Sequence, residues 1–299
     1  MLPFPSYSTK QANSLVAEYG RQKRALSPNR HLAISAALND FALHVVPQVV
    51  EVEHLGRVIY AGGDDVLAML PVSDLLSAMQ RLRRAYSGTS RHDRPMDWRS
   101  LRRSKELVCK DGFAYLSGRL MRMMGQNATA SGGAVIAHHQ APLSAVLREL
   151  REAEKRAKNE GDRDAFSLTV IKRSGGATSL TGKWDILELL LKLRDFLAAP
   201  EVSRQAVYHS IEWLTDLPEN AEKAMTGALL RYQLQRQTAS ADRFKALGGA
   251  QLADQLAIKA CEQRDRTKWL QIFLSTAEFI ARETRAPVCK ASEPSPVDR

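Results

Sequence analysis

The chain has 299 residues, of which 44% are apolar and 25% are charged, and its formal net charge is +10 at pH 7. These values are typical of a soluble globular protein with one large or two ordinary domains, and they exclude a disordered chain, a collagen or a coiled-coil rod. No uninterrupted apolar run approaches the ~18 residues that a membrane helix needs. Met1 to Pro5 has no basic region before an apolar stretch, so no signal peptide is expected. Cys109, Cys261 and Cys289 are an odd set without CxxC spacing, which favours a reducing cytoplasm over a disulfide or zinc framework.

The first half of the chain, to about residue 183, alternates helical and strand patterns. Ser27–Pro28 is typical of a helix N-cap followed by proline at the first helical position. Apolar periodicity predicts helices over 8–19, 29–45, 74–86 and 142–159, and strands over 58–60, 66–70, 134–137, 166–172 and 178–181.

The turn between the first two predicted strands has the sequence Gly62-Gly63-Asp64-Asp65. Two apolar runs around such a turn predict a β-hairpin. Its glycines allow positive φ and let a phosphate approach backbone N–H groups. Adjacent carboxylates at a strand end are also suited to holding Mg²⁺. Glycine and aspartate populate hairpin turns for conformational reasons alone, so the turn by itself leaves a structural and a functional interpretation open.

Positive charge is concentrated between Arg81 and Gly125. This span holds twelve Lys or Arg residues and four acids, which is a net +8 of the total +10. Such density favours a phosphate-rich partner, and the alternative is a solvated basic face without a partner. Few aromatic residues are interleaved, so backbone attraction is better supported than base stacking.

The second half, from Trp184 onward, has only helical periodicity, with helices predicted over 184–200, 203–215, 219–235, 251–261 and 269–283. A block of strands and helices followed by helices alone predicts an α+β fold, with an α+β domain preceding an all-α helical bundle. The proline-containing end, 291–299, is expected to be disordered.

Several segments recur in the order found in a known family: 27–41, Gly56 to Pro71, Ala130 to His139, 142–158 and Lys172 to Gly175. Through them the chain resembles the large subunit of type III CRISPR effector complexes, closest to the III-B subtype (the Cas Ten, or Cmr Two, family). The resemblance implies a ferredoxin-like second palm, related to polymerase and nucleotidyl-cyclase palms, followed by a helical domain. It also implies that the palm uses ATP to make cyclic oligoadenylate when target RNA binds.

This resemblance assigns the domains as a palm over 1–183 with a basic insertion at 87–127, a helical domain over 184–290 and a tail over 291–299. The implied partners are the other subunits of a type III CRISPR effector complex, CRISPR RNA and target RNA, with no membrane and a cytoplasmic location.

Carried over residue by residue, Asp64 and Asp65 would be the catalytic carboxylates and the ligands of Mg²⁺ or Mn²⁺. Gly62 and Gly63 would admit the triphosphate of ATP. Ser131, on the strand that faces the hairpin, would contact the nucleotide.

Two lysines of the 142–159 helix are further candidates for a phosphate contact. Lys155 and Lys158 are three residues apart and so lie on neighbouring faces. Ala157-Lys158 followed by Gly161 resembles the Ala-Lys pair of diguanylate-cyclase palms, which favours Lys158. The alternative for either lysine is a solvated helix face with ordinary glutamate partners.

Two histidine motifs have weaker functional interpretations. His138-His139 follows a predicted strand, where histidines more often cap a sheet edge than act in catalysis. His92-Asp93 superficially resembles the HD nuclease of some family members, but the sequence offers no further His and Asp ligand set for it.

The sequence departs from the family pattern at its start. The first 39 residues contain one acid, Glu18, in a predicted helix, and the prolines in Leu2-Pro3-Phe4-Pro5 exclude a central strand. The palm's first strand and its carboxylate are therefore expected to be absent, and the chain is expected to be a C-terminal piece of a larger subunit. The competing hypotheses are a cyclic-oligoadenylate synthase site, a non-catalytic palm scaffold that binds RNA and neighbouring subunits, and a free-standing nucleotidyl cyclase, which the missing strand disfavours.

Overall fold

The computed structural model describes residues 27–89, 106–173, 175–216 and 223–285, and the fold is given for these residues. The predicted helix at 8–19, the His92-Asp93 motif and the tail at 291–299 lie outside them.

Nine helices are present in the described parts of the chain. They are α1 (Pro28–Asp40), α2 (Val72–Ser87), α3 (Leu143–Asn159), α4 (Trp184–Ala198), α5 (Gln205–Thr215), α6 (Lys223–Arg236), α7 (Ala241–Ala246), α8 (Gly249–Cys261) and α9 (Arg266–Arg285). The strands in the same residues are β1 (Arg57–Gly62), β2 (Asp65–Met69), β3 (Val108–Lys110), β4 (Phe113–Leu116), β5 (Arg119–Arg122), β6 (Gly132–Ile136), β7 (Ala165–Ile171) and β8 (Ala177–Lys183).

Helix α1 begins as its sequence predicts, with the Ser27 hydroxyl accepting a hydrogen bond from the Arg30 N–H at 3.3 Å. It ends later than predicted, because π-helical turns at Phe41–Val45 and Gln48–Val52 continue it. Pro47, which has no N–H to donate, lies between the two widened turns. By length and composition alone, the stretch Pro28–Val52 is long and apolar enough to cross a membrane. In this stretch 39% of the apolar window is buried in the protein, and its part beyond Asp40 packs on the meander.

The strands form three separate sheets. The hairpin β1–β2 is a sheet of two strands, β3-β4-β5 is an antiparallel meander, and β6-β7-β8 has β6 parallel and β8 antiparallel to β7. Hairpin and β6 are thus not joined into the single palm sheet that a ferredoxin-like fold would have. Within the described residues, no strand joins the hairpin to β6, and the expected absence of the palm's first strand remains a prediction.

Two hydrophobic cores are joined by helix α2. One core combines β6–β8 with α4–α9, and the N-terminal half of α2 contributes Leu76 to it. The other core combines the continuation of α1 with the meander, and the C-terminal half of α2 contributes Ala85 to it. The change from strands to helices falls between Lys183 and Trp184, but the first core crosses that point. The two cores do not separate at residue 183. The domain boundary placed there from the sequence remains a prediction.

The basic insertion predicted at 87–127 contains the meander, whose three strands were not predicted. Its two turns place Asp111-Gly112 and Ser117-Gly118 at positive φ. Two consecutive residues at positive φ are the requirement of a type I′ hairpin turn, whose twist matches that of the flanking strands. The meander is attached to the end of α2 by the Gly112 N–H, which donates to the Gly88 carbonyl at 3.1 Å.

Candidate functional site

The two predicted catalytic carboxylates lie at the exposed tip of the β1–β2 hairpin. Gly62 pairs with Asp65 in the last position of the ladder, so Gly63 and Asp64 form the turn. Gly63 takes φ +62, which a residue with a side chain adopts only with strain. The turn therefore depends on glycine at this position, and it presents Asp64 and Asp65 to solvent on consecutive residues.

The charges of Asp64 and Asp65 affect the pKa of one group on each of two helices. The pKa of Tyr86, in the last turn of α2, is raised by burial and further by the charge of Asp64, while Arg83 opposes the shift. The pKa of Lys158, near the end of α3, is raised chiefly by its hydrogen bond to Glu154, with a smaller contribution from Asp65. The two aspartates thus lie near the C-terminal ends of both helices.

The two lysine candidates differ in their surroundings. Lys155 pairs with Glu152 at 2.7 Å, and their side chains are 65% and 49% exposed. Lys158 pairs with Glu154 at 2.6 Å, and its pKa also responds to Asp65. Both pairs are solvated, since the Lys158 and Glu154 side chains are 49% and 46% exposed, and Lys158 is distinguished only by its electrostatic interaction with Asp65.

The beginning of β6 lies at the end of the sheet that meets α2 and α4. Ser131 directly precedes this strand, and the neighbouring Ala130 carbonyl accepts a hydrogen bond from the Trp184 indole N–H at 3.1 Å. The strand packs tightly on α3, because a Cβ at Gly133 would lie 2.6 Å from the Glu154 backbone nitrogen. Ser131 is thus held at the end of β6 where β7 begins and α3 ends.

The His138-His139 pair follows the opposite end of β6. Their rings lie 4.2 Å apart, and the pKa of His138 is lowered by desolvation, His139 and Arg173. Five residues of strand, ~17 Å, separate this end from Ser131. The structure therefore does not bring the histidines together with the other candidate residues.

A cavity of about 240 Å³ opens between the end of α2 and the loop that precedes β7. It is lined by Gln80, Arg83, Arg84, Ser87, Thr89, Gln126, Asp164 and Trp184. Arg83 crosses it, donating to Asp164 Oδ1 at 2.7 Å and to Ser87 Oγ at 3.1 Å. Guanidinium groups, hydroxyls, amides and one indole face suit a polar ligand with a planar part.

The loop between α3 and β7 is held in a strained conformation. Asp162, Arg163 and Asp164 take φ values of +51, +55 and +40. Such a conformation costs a non-glycine residue ~1–2 kcal/mol, so neighbouring contacts must stabilise it. The Lys183 ammonium donates to the carbonyls of Asp162 and Arg163 at 3.0 and 2.8 Å, and Arg83 pairs with Asp164. Backbone strain of this kind clusters at ligand-binding sites.

A polar layer fixes α3 on the sheet. Arg156 donates to Glu149 Oε1 and to Thr169 Oγ1, each at 2.6 Å, and to Ser167 Oγ at 3.3 Å. Ser167 and Thr169 are fully buried on β7. Because Lys158 lies two residues further along the same helix, this layer determines where Lys158 stands relative to the hairpin.

The hairpin can hold a metal ion only with oxygen ligands from elsewhere. Within the described residues, no group of three or more His, Cys, Asp or Glu side chains could hold a metal. Mg²⁺ commonly binds through one or two carboxylates and completes its shell with water and substrate phosphates. Asp64 and Asp65 therefore fit a metal ion that arrives with a phosphate ligand.

The sequence does not predict a site role for Arg83, Asp164, Lys183 or Trp184. They come from α2, the loop before β7, the end of β8 and the start of α4, so only the tertiary fold brings them together. One local signal was present, since Gly161-Asp162 after a helix is typical of a left-handed turn.

Comparison with known proteins gives consistent results. A family model described as Cas10/Cmr2, second palm domain, matches residues 12–167, just over half of the chain. The CRISPR system Cmr subunit Cmr2 of Pyrococcus furiosus is 29% identical over 199 residues, covering 64% of this chain and 19% of that protein. The corresponding Cmr2 of Saccharolobus solfataricus is 28% identical over 239 residues, covering 71% of this chain and 21% of that protein. This chain thus spans about a fifth of the length of these curated relatives.

A solved structure shares the fold. The type III-B Cmr-beta complex in its apo state contains a chain of TM-score 0.54 and 19% sequence identity, with 79% of this chain and 25% of that chain covered.

Proposed function

The chain belongs to the Cas10/Cmr2 second palm domain family, and we propose that it acts as the ATP-using palm of a type III-B CRISPR effector complex in antiviral defence. In this proposal the hairpin binds ATP together with Mg²⁺ or Mn²⁺, and the product is cyclic oligoadenylate made when target RNA binds. Other effector subunits, CRISPR RNA and target RNA are the proposed partners, and the cytoplasm is the proposed location.

The observation that supports the proposal is the pair of consecutive exposed carboxylates at the hairpin tip, with Lys158 close enough for the charge of Asp65 to raise its pKa. Ser131 precedes the end of β6 that packs near the end of α3. Two consecutive exposed carboxylates and a nearby ammonium group are the charges that a metal-bound triphosphate requires. The cavity beside Arg83 and Trp184 is the proposed place for the base, because guanidinium, hydroxyl and indole groups are among the groups that line it.

Each residue has a proposed role. Asp64 and Asp65 would hold the metal ion, which when bound bridges phosphates and offsets their charge during phosphoryl transfer. Gly63 adopts φ +62, which the turn requires, and it leaves open space beside the carboxylates. Lys158 would contact a phosphate, for which it must leave its pair with Glu154.

A second candidate function is a non-catalytic palm scaffold, and the division of the sheet favours it. Among the described residues, the hairpin has no backbone hydrogen bonds to β6, so packing alone fixes the carboxylates relative to that sheet. Catalysis would then need a further strand from outside the described residues.

The deciding experiment incubates the purified chain with ATP and Mg²⁺ or Mn²⁺, with and without the other effector subunits and target RNA. Chromatography with mass detection should find cyclic oligoadenylate under the complete condition. The double variant Asp64→Asn, Asp65→Asn should abolish it, whereas Asp242→Asn, an exposed carboxylate in α7, should have no effect. No product in the complete mixture would reject the catalytic proposal and leave the scaffold function.

A further inference from the structure

The meander exposes an aromatic ring between two cations. Phe113 on the central strand pairs with Lys110 on β3 and with Arg122 on β5. Directly paired residues lie on the same face, ~5 Å apart, so the three side chains form one row across the sheet. The neighbouring row, Cys109, Ala114 and Met121, is buried in the core, which leaves the Phe113 row on the outer face.

The side chains of this row are accessible to solvent and do not belong to the hydrophobic core. Phe113 is 40% exposed and Arg122 is exposed, while Lys110 is half-buried. Within the part of the chain that the structure describes, neither Lys110 nor Arg122 pairs with a carboxylate, unlike Arg81, Arg83 and Arg84 on the adjacent helix. Two available cations beside an exposed ring provide charge for a phosphate backbone and a flat surface for a base.

The row is built on a rigid support that is continuous with the candidate site. The turn before Phe113 has Asp111 and Gly112 at positive φ, and a Cβ at Gly88 would lie 2.7 Å from the Phe113 nitrogen. Ser87 and Thr89, on either side of Gly88, line the cavity described above. Gly88 therefore contacts Phe113, and its two neighbours in the chain line the cavity. The row also belongs to the stretch Arg81 to Gly125, which carries +8 of the net charge.

We propose that the outer face of the meander is a binding platform for single-stranded nucleic acid, on which Phe113 stacks a base while Lys110 and Arg122 contact the phosphates on either side. This assignment differs from the expectation drawn from the sequence, which favoured backbone attraction over stacking. It also concerns residues outside the proposed nucleotidyl-transfer site, so it can fail while that function stands.

The test measures binding of the full chain to fluorescent twelve-nucleotide oligouridylate and oligothymidylate, by anisotropy over a range of salt concentrations. Phe113→Ala should weaken binding about tenfold at every salt concentration, and Phe113→Tyr should restore it, since one stacked base contributes a factor of this order. Lys110→Gln with Arg122→Gln should make the slope of log K against log salt shallower by ~1.4 units. Comparison of the two oligonucleotides identifies RNA or DNA as the preferred source.

Two controls separate stacking from other effects. Leu120→Ala removes an exposed aliphatic side chain from the same face, 57% exposed, and should change affinity less than twofold. Heparin, a polyanion without bases, should bind Phe113→Ala as it binds the parent chain. Unchanged oligonucleotide affinity in Phe113→Ala, or an equal loss for heparin and oligonucleotide, would overturn the platform.

Discussion

Replacement of Arg156 by leucine tests whether the polar layer under α3 positions this helix. The Arg156 side chain is 22% exposed and its partner Glu149 is 28% exposed, so their 2.6 Å ion pair is largely removed from water. The leucine variant leaves the Glu149 carboxylate without its cation and removes a donor from buried Thr169. A hydrogen bond to a charged group contributes ~1.5–3 kcal/mol, and loss of one partner adds the cost of an unpaired group. We expect a loss of ~2–3 kcal/mol in unfolding free energy.

Lys155, the residue before Arg156, provides a matched control. Lys155→Leu breaks the exposed pair with Glu152 on the same helix, and such pairs contribute only ~0–0.5 kcal/mol. Thermal unfolding followed by circular dichroism should show a fall in Tm of ~3–5 °C for Arg156→Leu and of at most ~1 °C for Lys155→Leu. The double variant Arg156→Leu, Glu149→Leu should recover part of the loss, because no unpaired carboxylate remains. Equal Tm values for the two single variants would refute the reasoning.

Two further predictions concern packing and pH. Gly133→Ala should lower the unfolding free energy by ~1–3 kcal/mol, because its Cβ would lie 2.6 Å from the Glu154 backbone nitrogen. Gly63→Ala should lower it by only ~1 kcal/mol, through strain at φ +62. A thermal melt in which Gly63→Ala is the less stable variant would contradict this order. Burial raises the pKa of the Cys109 thiol from 9.0 to about 11, so the unfolded chain loses this proton at lower pH and stability should fall by ~2–3 kcal/mol between pH 9 and 11. Urea unfolding from pH 9 to 11 should show this fall in unfolding free energy in the parent chain, and a smaller fall in Cys109→Ala. If the two proteins lose stability equally over this range, the Cys109 thiol does not cause the fall.

Local signals in the sequence predicted most elements. Ser27-Pro28, the glycine-aspartate turn and the amphipathic pattern of 142–159 each correspond to an observed boundary or element. The continuation of α1 beyond residue 45 was not predicted, because Pro47 suggests an end to a helix and only the packing of Val46, Val49 and Val50 on the meander favours its extension. The meander had its own signal in Asp111-Gly112, which the density of charge around it obscured.

The candidate site was predictable where its residues are close in sequence. Asp64 and Asp65 follow from one turn, and their position at its tip is what the pattern predicted. The choice between Lys155 and Lys158 needed the structure, because both lie near glutamates and only the fold shows which one Asp65 affects. Arg83 and Asp164 are 81 residues apart, and no local pattern predicts that they pair at 2.7 Å.

Helix α2 connects the part of the fold that carries the hairpin to the β6–β7–β8 sheet. A palm sheet that ran through both would fix Asp64 and Asp65 relative to β6 by backbone hydrogen bonds, whose geometry is narrow. In the described residues that connection is made instead by α2, which contributes Leu76 to one core and Ala85 to the other. Side-chain packing tolerates small shifts that a hydrogen-bonded ladder does not, so the distance from the carboxylates to Lys158 depends on how firmly the end of α2 is held. The Arg83–Asp164 pair and the Gly88–Gly112 hydrogen bond hold that end, and the latter ties it to the meander. Nucleic acid bound on the Phe113 row would therefore act on the helix end that links the two cores.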